Sequence, residues 1–232
     1  MRDTVTTVDG LSLAAEISGP DAAPAILAVH GFASTAQDNW VAAGWPRALE
    51  PLGYRLITFD LRGHGASETP HDPARYTGEL LRADALAVLD HFGVERSHWL
   101  GYSLGARVGL DLAHEHPERI ASLSLGGLPS HNPLSGTVPD SLLAAAAAPG
   151  RDAVALAAFI EGFGAEPSTT AEAAEAPTLL VTGDSDTVAH DPEKLAAALG
   201  AELVLLPGRT HANAITARGF KEAVVEFISR LP

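Results

Sequence analysis

Cysteine is absent from the 232 residues. That absence excludes disulfides, thiolate metal sites and cysteine nucleophiles together. Positive charge is scarce too: 15 Lys and Arg stand against 29 Asp and Glu, for a net charge of −14. No basic run offsets it, so neither nucleic acid nor an anionic membrane surface is an expected partner. No apolar run approaches the ~20 residues of a membrane span. Residues 1–4 do not open a charged stretch followed by an apolar one, so no secretory signal is expected and a cytoplasmic location is the default. The ten histidines are scattered, and His114 and His116 sit at a two-residue spacing that points helical rings apart. No metal and no cofactor is expected. Nothing in the sequence speaks to oligomeric state.

What remains is a chain with 46% hydrophobic residues, enough for a sizeable core in one large α/β domain. Residues 4–8 and 11–17 alternate in polarity around Asp9-Gly10, which predicts a hairpin with a two-residue, positive-φ turn. Residues 25–29 are continuously apolar, as in a strand buried on both faces. Further strands are predicted at 54–59, 97–101, 120–125, 178–182 and 202–206. Between them lie helical patterns at 40–50 (interrupted near Gly44), 78–92, 103–116, 192–199 and 215–230. In the second of these, Leu81, Ala85, Val88 and Leu89 form the apolar stripe, with Glu79, Arg82, Asp84 and Asp90 opposite. Strands alternating with helices imply right-handed crossovers and a mostly parallel sheet of eight strands with helices on both faces.

The alternation breaks between residues 126 and 177. Short Ala-rich helices are expected at 141–148 and 152–163, and a weak acidic one at 168–176. Leu142, Leu143, Leu156, Phe159, Ile160 and Phe163 give the segment an apolar face. The expected organisation is a core of residues 1–126 and 177–232, with 127–176 as a short, mobile helical lid over the strand ends where such sheets hold ligands.

One stretch carries the chemistry. Gly101-Tyr102-Ser103-Leu104-Gly105 joins a strand to a helix, and its Gly-x-Ser-x-Gly spacing fits a nucleophile elbow. A serine in so tight a turn needs small neighbours, and in return its hydroxyl stands exposed at a helix N-terminus. A serine hydroxyl needs a base, and the base an orienting acid. Strand 178–182 runs into Gly183-Asp184-Ser185-Asp186, and strand 202–206 into a loop bearing His211. Both loops fall on the sheet edge that carries Ser103, in the order nucleophile, acid, histidine.

On these motifs, together with His30-Gly31-Phe32 after the third strand and Gly63-His64-Gly65-Ala66-Ser67 after the fourth, the chain resembles the α/β-hydrolase superfamily over essentially its whole length. The resemblance implies the α/β-hydrolase fold. It selects Ser103, Asp186 and His211 as catalytic, leaving Asp184 as a turn or cap residue. It also implies an oxyanion hole made by the backbone N–H groups of Phe32 and Leu104, with His30 structural. Asp60, Arg62 and His64 are expected to brace the neighbouring loop. Tyr102, Leu128 and Phe159 are the candidate substrate-pocket residues.

The activity implied is hydrolysis of an ester, thioester or lactone of a small to medium substrate by a serine esterase. A serine at the elbow argues against the epoxide hydrolases and haloalkane dehalogenases of the superfamily, which carry aspartate there. The stretch Gly101–Arg107 is also similar to that of the menaquinone-pathway lyases that make 2-succinyl-6-hydroxy-2,4-cyclohexadiene-1-carboxylate. Such a site needs cationic residues for several carboxylates, and the lid offers only Arg151. Carbon–carbon bond hydrolases share the triad as well. A non-catalytic receptor for a small ligand is the reading from another class, because a fold and even a site do not fix function.

Overall fold

The computed structural model describes residues 1–166 and 172–231. The strands are β1 (Arg2–Thr6), β2 (Ser12–Ser18), β3 (Ala25–Val29), β4 (Arg55–Phe59), β5 (Ser97–Tyr102), β6 (Ile120–Gly126), β7 (Thr178–Gly183) and β8 (Glu202–Leu206). The α-helices are α1 (Trp45–Leu49), α2 (Gly78–His91), α3 (Leu104–Glu115), α4 (Asp140–Ala146), α5 (Ala153–Gly164), α6 (Pro192–Leu199) and α7 (Arg218–Ser229). All eight strands form one sheet in the order β1-β2-β4-β3-β5-β6-β7-β8. β2 pairs antiparallel with both β1 and β4, and every later pairing is parallel. This is the α/β-hydrolase fold.

The alternation of side chains across β3 explains the layering. Ala25, Leu27 and Val29 point into one core, with Leu81 and Val88 of α2 and Val108 and Leu112 of α3. Ile26 and Ala28 point into the other, with Trp45 of α1 and Phe220, Val224 and Phe227 of α7. Both faces are therefore dry, and a strand that must satisfy two cores reads as an unbroken apolar run. The order of the strands matters for function. After β3 the chain steps to one side for β4, then returns to the other side of β3 for β5. The C-terminal ends of β3 and β5 thus flank a switch point, where a crevice opens above the sheet.

Several local expectations are corrected. The first hairpin has no two-residue turn: Thr7 to Leu11 form a longer connection, closed by the Leu11 N–H on Thr7 Oγ1 at 2.9 Å. In that turn Gly10 alone takes positive φ, and Asp9 instead accepts from Thr7 and Arg62. Asp84 does not face solvent. It lies at the margin of the α2 stripe, wholly buried, and accepts from Arg62 Nε at 2.7 Å and Nη2 at 2.6 Å. The last helix starts at Arg218, because residues 214–216 form a separate 3-10 turn.

Between β6 and β7 the two expected helices are present as α4 and α5. Of the weak helix expected at 168–176, residues 168–171 lie outside the described residues and 172–176 are not helical. The segment is tied to the core at several points. Arg151 pairs with Asp38 at 2.9 Å, Asp152 accepts from Thr69 Oγ1 at 3.1 Å and bonds His71, and Glu166 accepts the Gly78 N–H at 2.7 Å.

Candidate active site

Ser103 sits where β5 turns into α3, with φ 51° and ψ −110°. A side chain other than glycine rarely holds that backbone, and the surroundings must impose it. They do so from two sides. The Ser103 N–H is tied to Gly126 O at 2.8 Å. On the helix side, a Cβ on Gly105 would run into the Val29 carbonyl, so only glycine lets α3 start this close to β3. Leu104 N–H is then the first of the helix, and among the described residues it has no acceptor.

His211 comes from the loop after β8 and reaches across to the serine. Its Nε2 lies 2.9 Å from Ser103 Oγ, and its Nδ1 lies 2.8 Å from Asp186 Oδ2. A carboxylate can only accept there, so Nδ1 carries the proton and Nε2 is free to accept from the serine. Asp186 itself is fully buried on its side chain. Its other oxygen accepts the N–H groups of Val188 at 2.8 Å and Ala189 at 2.9 Å. Burial pushes the carboxyl up, but the bonds from His211 and these two amides outweigh it and hold Asp186 below the ordinary carboxylate range. The neighbouring Asp184 points elsewhere, bracing the loop by accepting the Gly208 N–H at 2.8 Å.

The turn after β3 completes the arrangement. Gly31 packs against the serine, so that a Cβ there would stand 3.4 Å from Ser103 Cβ. The Gly31 N–H is given to Asn39 Oδ1 at 2.9 Å, and the Ala33 N–H to His64 Nε2 at 3.0 Å. Between them the Phe32 N–H has no acceptor among the described residues. Two tied amides flank one free amide, which leaves the Phe32 N–H open to an acceptor beside Ser103. Asn39 had no signal in the sequence, since an asparagine in a polar stretch has many uses.

His30, Asp60, Arg62 and His64 support the loops rather than facing the crevice. His30 Nε2 accepts the Leu61 N–H at 2.9 Å, and Asp60 accepts the Ala36 and Ala66 N–H groups, both at 2.8 Å. Burial drives the His30 pKa down to about 4 and that of His64 down to about 3, so both stay neutral.

Among the described residues, two cavities meet at Ser103. One is a slot of about 350 Å³ reaching under the 129–142 segment to Phe163. The other is a cleft of about 1070 Å³, walled by Tyr102, His211 and Ile215 on one side and by Ser141 and Ala145 of α4 on another. Of the three pocket candidates, Tyr102 lines the cleft, but its hydroxyl is spent on the His211 carbonyl at 2.6 Å. Leu128 and Phe159 are fully buried and line neither cavity. Phe159 stands behind Phe32, ring centroids 5.5 Å apart, and supports it. Among the described residues no helix is long and apolar enough to cross a membrane, and no three His, Asp or Glu side chains converge on a metal position.

The fold matches that of known proteins. A family model described as alpha/beta hydrolase fold matches residues 24–137. A hydrolase from Pseudomonas aeruginosa PA01 superposes with a TM-score of 0.78 at 28% identity, covering 98% of each chain. In sequence, a Bacillus subtilis (strain 168) protein named as a candidate 2-succinyl-6-hydroxy-2,4-cyclohexadiene-1-carboxylate synthase is 31% identical over 52% of this chain and 42% of its own length. Epoxide hydrolase A of Mycobacterium tuberculosis (strain ATCC 25618 / H37Rv) is 29% identical over 55% of this chain and 39% of its own. The match thus spans less than half the length of these curated relatives. The chain belongs to the α/β-hydrolase superfamily.

Proposed function

We propose that the protein is a serine hydrolase that cleaves a carboxylic ester, thioester or lactone of small to medium size. The observation that carries this reading is the unbroken relay from Asp186 through His211 to Ser103, with contacts of 2.8 and 2.9 Å, ending beside two unused amides. His211 Nε2 takes the Ser103 proton as Oγ bonds to the carbonyl carbon, and the carbonyl π electrons move onto oxygen. The Phe32 and Leu104 N–H groups hold that oxyanion. Collapse of the intermediate expels the alcohol or thiol oxygen or sulfur, which takes the proton from His211. A water then gives its proton to His211 and attacks the acyl-enzyme; as the bond from carbon to Ser103 Oγ breaks, His211 returns that proton to Oγ and the acid leaves. Asp186 stays ionised and balances the imidazolium formed in each half.

The same three residues also suit proton abstraction and elimination, the chemistry of the synthase-type lyases. That reaction needs cationic side chains free to meet several carboxylates. Arg107 lines the slot but engages Asp111 at 3.3 Å, and Arg151 is held by Asp38 at 2.9 Å. The mostly carbon walls around Ser103 favour an ester. Epoxide opening is disfavoured by serine at the elbow.

The deciding experiment is turnover of p-nitrophenyl acetate and butyrate by the wild type and by Ser103→Ala. The expected result is a loss of about 10³-fold or more in the variant. Equal, negligible rates in both overturn the hydrolase reading and favour the lyase or a small-ligand receptor.

A further inference from the structure

The two cavities at Ser103 differ in kind. The slot, at about 350 Å³, has about a third of the cleft's 1070 Å³. It therefore admits the smaller of two substituents. Its walls include Leu134, Leu142 and Phe163, each less than a tenth exposed. Asn132 clamps two of them together: its Nδ2 donates to Phe163 O at 2.9 Å, and its Oδ1 accepts the Leu134 N–H at 3.0 Å. The cleft is larger, and its lining includes Ser141, Thr187 and Thr210. Ser103, Phe32 and Leu142 border both cavities, whereas His211 borders the cleft and not the slot.

That asymmetry orients the substrate. The leaving oxygen must receive its proton from His211 Nε2, so it and its substituent lie on the histidine side, in the cleft. With the carbonyl oxygen on the Phe32 and Leu104 amides, the remaining substituent of the carbonyl carbon points away from His211, into the slot. We infer that the slot is the acyl subsite, sized for short apolar acyl groups from acetyl to about butyryl, and that the cleft takes a larger and more varied alcohol. Leu134 and Phe163 set the acyl length. This inference rests on Ser103 acting as the nucleophile.

The test is a specificity matrix on the whole chain. Acyl length is varied in p-nitrophenyl acetate, butyrate, hexanoate and octanoate. Alcohol size is varied in ethyl, benzyl and 2-phenylethyl acetate. The expected result is a fall in kcat/KM of about tenfold or more from butyrate to octanoate, with a change of less than about threefold across the acetates. Phe163→Ala is expected to raise the octanoate-to-acetate ratio about tenfold, and Leu134→Ala to raise it in the same direction. The wild-type series stands even where a variant fails to fold. A flat or rising acyl series overturns the assignment, as does preference for p-nitrophenyl hemisuccinate over butyrate, which marks an anion pocket on Arg107. Rates indistinguishable from Ser103→Ala on every ester overturn the hydrolase reading itself, and the subsite with it.

Discussion

The Tyr102 hydroxyl donates a 2.6 Å hydrogen bond to the carbonyl of His211. The residue before Ser103 therefore holds the loop that carries His211. The two rings also lie 5.5 Å apart, and Tyr102 rests on Phe220 beneath. Burial, and then the nearby Asp186 charge, push the phenol pKa up, so it remains a donor throughout any working range. Tyr102→Phe keeps the ring and removes the tether. The expected outcome is a loss of about tenfold in kcat with KM little changed, since small misplacement of a base costs rate rather than binding. Stability should fall by about 1 kcal/mol. Steady-state kinetics and urea unfolding check both, and an unchanged kcat refutes the tether.

Two aspartates two residues apart should behave differently. Asp186→Asn removes the charge that fixes the His211 tautomer, and kcat is expected to fall by about 10³–10⁴. Asp184→Asn loosens the accepted Gly208 N–H, at 2.8 Å, in an exposed loop and should leave kcat within about threefold. The same ester assay reads both variants. Comparable losses in the two would put the acid's identity back in question.

The sequence carried the fold further than it carried the site's walls, for physical reasons. A strand with two dry faces must be apolar throughout, so residues 25–29 announced β3, and glycines around Ser103 announced a turn that admits nothing larger. Side-chain partnerships remote in sequence leave no such trace. Asp84 sits on α2 among polar neighbours and reads as solvent-facing, because its partner Arg62 lies 22 residues upstream in a loop. Tyr102 reads as pocket wall and does line the cleft, but its tether to His211 leaves no trace because the acceptor is 109 residues away. Leu128 and Phe159 are apolar and near the strand ends, yet whether such a residue lines a cavity or backs the one that does depends on packing alone.

The Arg62–Asp84 pair makes a stability prediction. Arg62 has no exposed side-chain surface, and neither does Asp84. Burial opposes the arginine's charge, but the hydrogen bonds it donates to Asp84 and Asp9 win and raise its pKa. Removing one partner leaves a buried charge poorly matched, so Asp84→Ala is expected to cost about 3–5 kcal/mol. The double variant Arg62→Met, Asp84→Leu removes both charges and should recover most of that loss. Urea midpoints of the three proteins decide it: a double variant no better than Asp84→Ala would mean the pair is needed for its geometry, not merely for its charge balance.

His30 and His64 predict how the fold responds to acid. Each uses Nε2 to accept a backbone N–H, from Leu61 at 2.9 Å and from Ala33 at 3.0 Å. Protonating that nitrogen sets a donor against a donor, and burial already drives the pKa values to about 4 and about 3 from 6.5. The unfolded chain takes up these protons below pH 6.5 while the native chain does not, so unfolding is favoured as pH falls. The contribution is whole above about pH 6.5 and is lost progressively towards pH 4 for His30 and pH 3 for His64. Each histidine should weaken the fold by about 1.4 kcal/mol per pH unit within that window. Asp9 and Asp186, whose pKa values are held below the usual 3.8, lose their own contributions only at lower pH. His64→Gln keeps an acceptor for Ala33 and does not titrate. Between pH 6 and pH 4.5 its unfolding free energy should therefore fall less steeply than the wild type's, by about one proton's worth. Parallel slopes in urea titrations at these pH values would show that His64 is not held neutral in the native state.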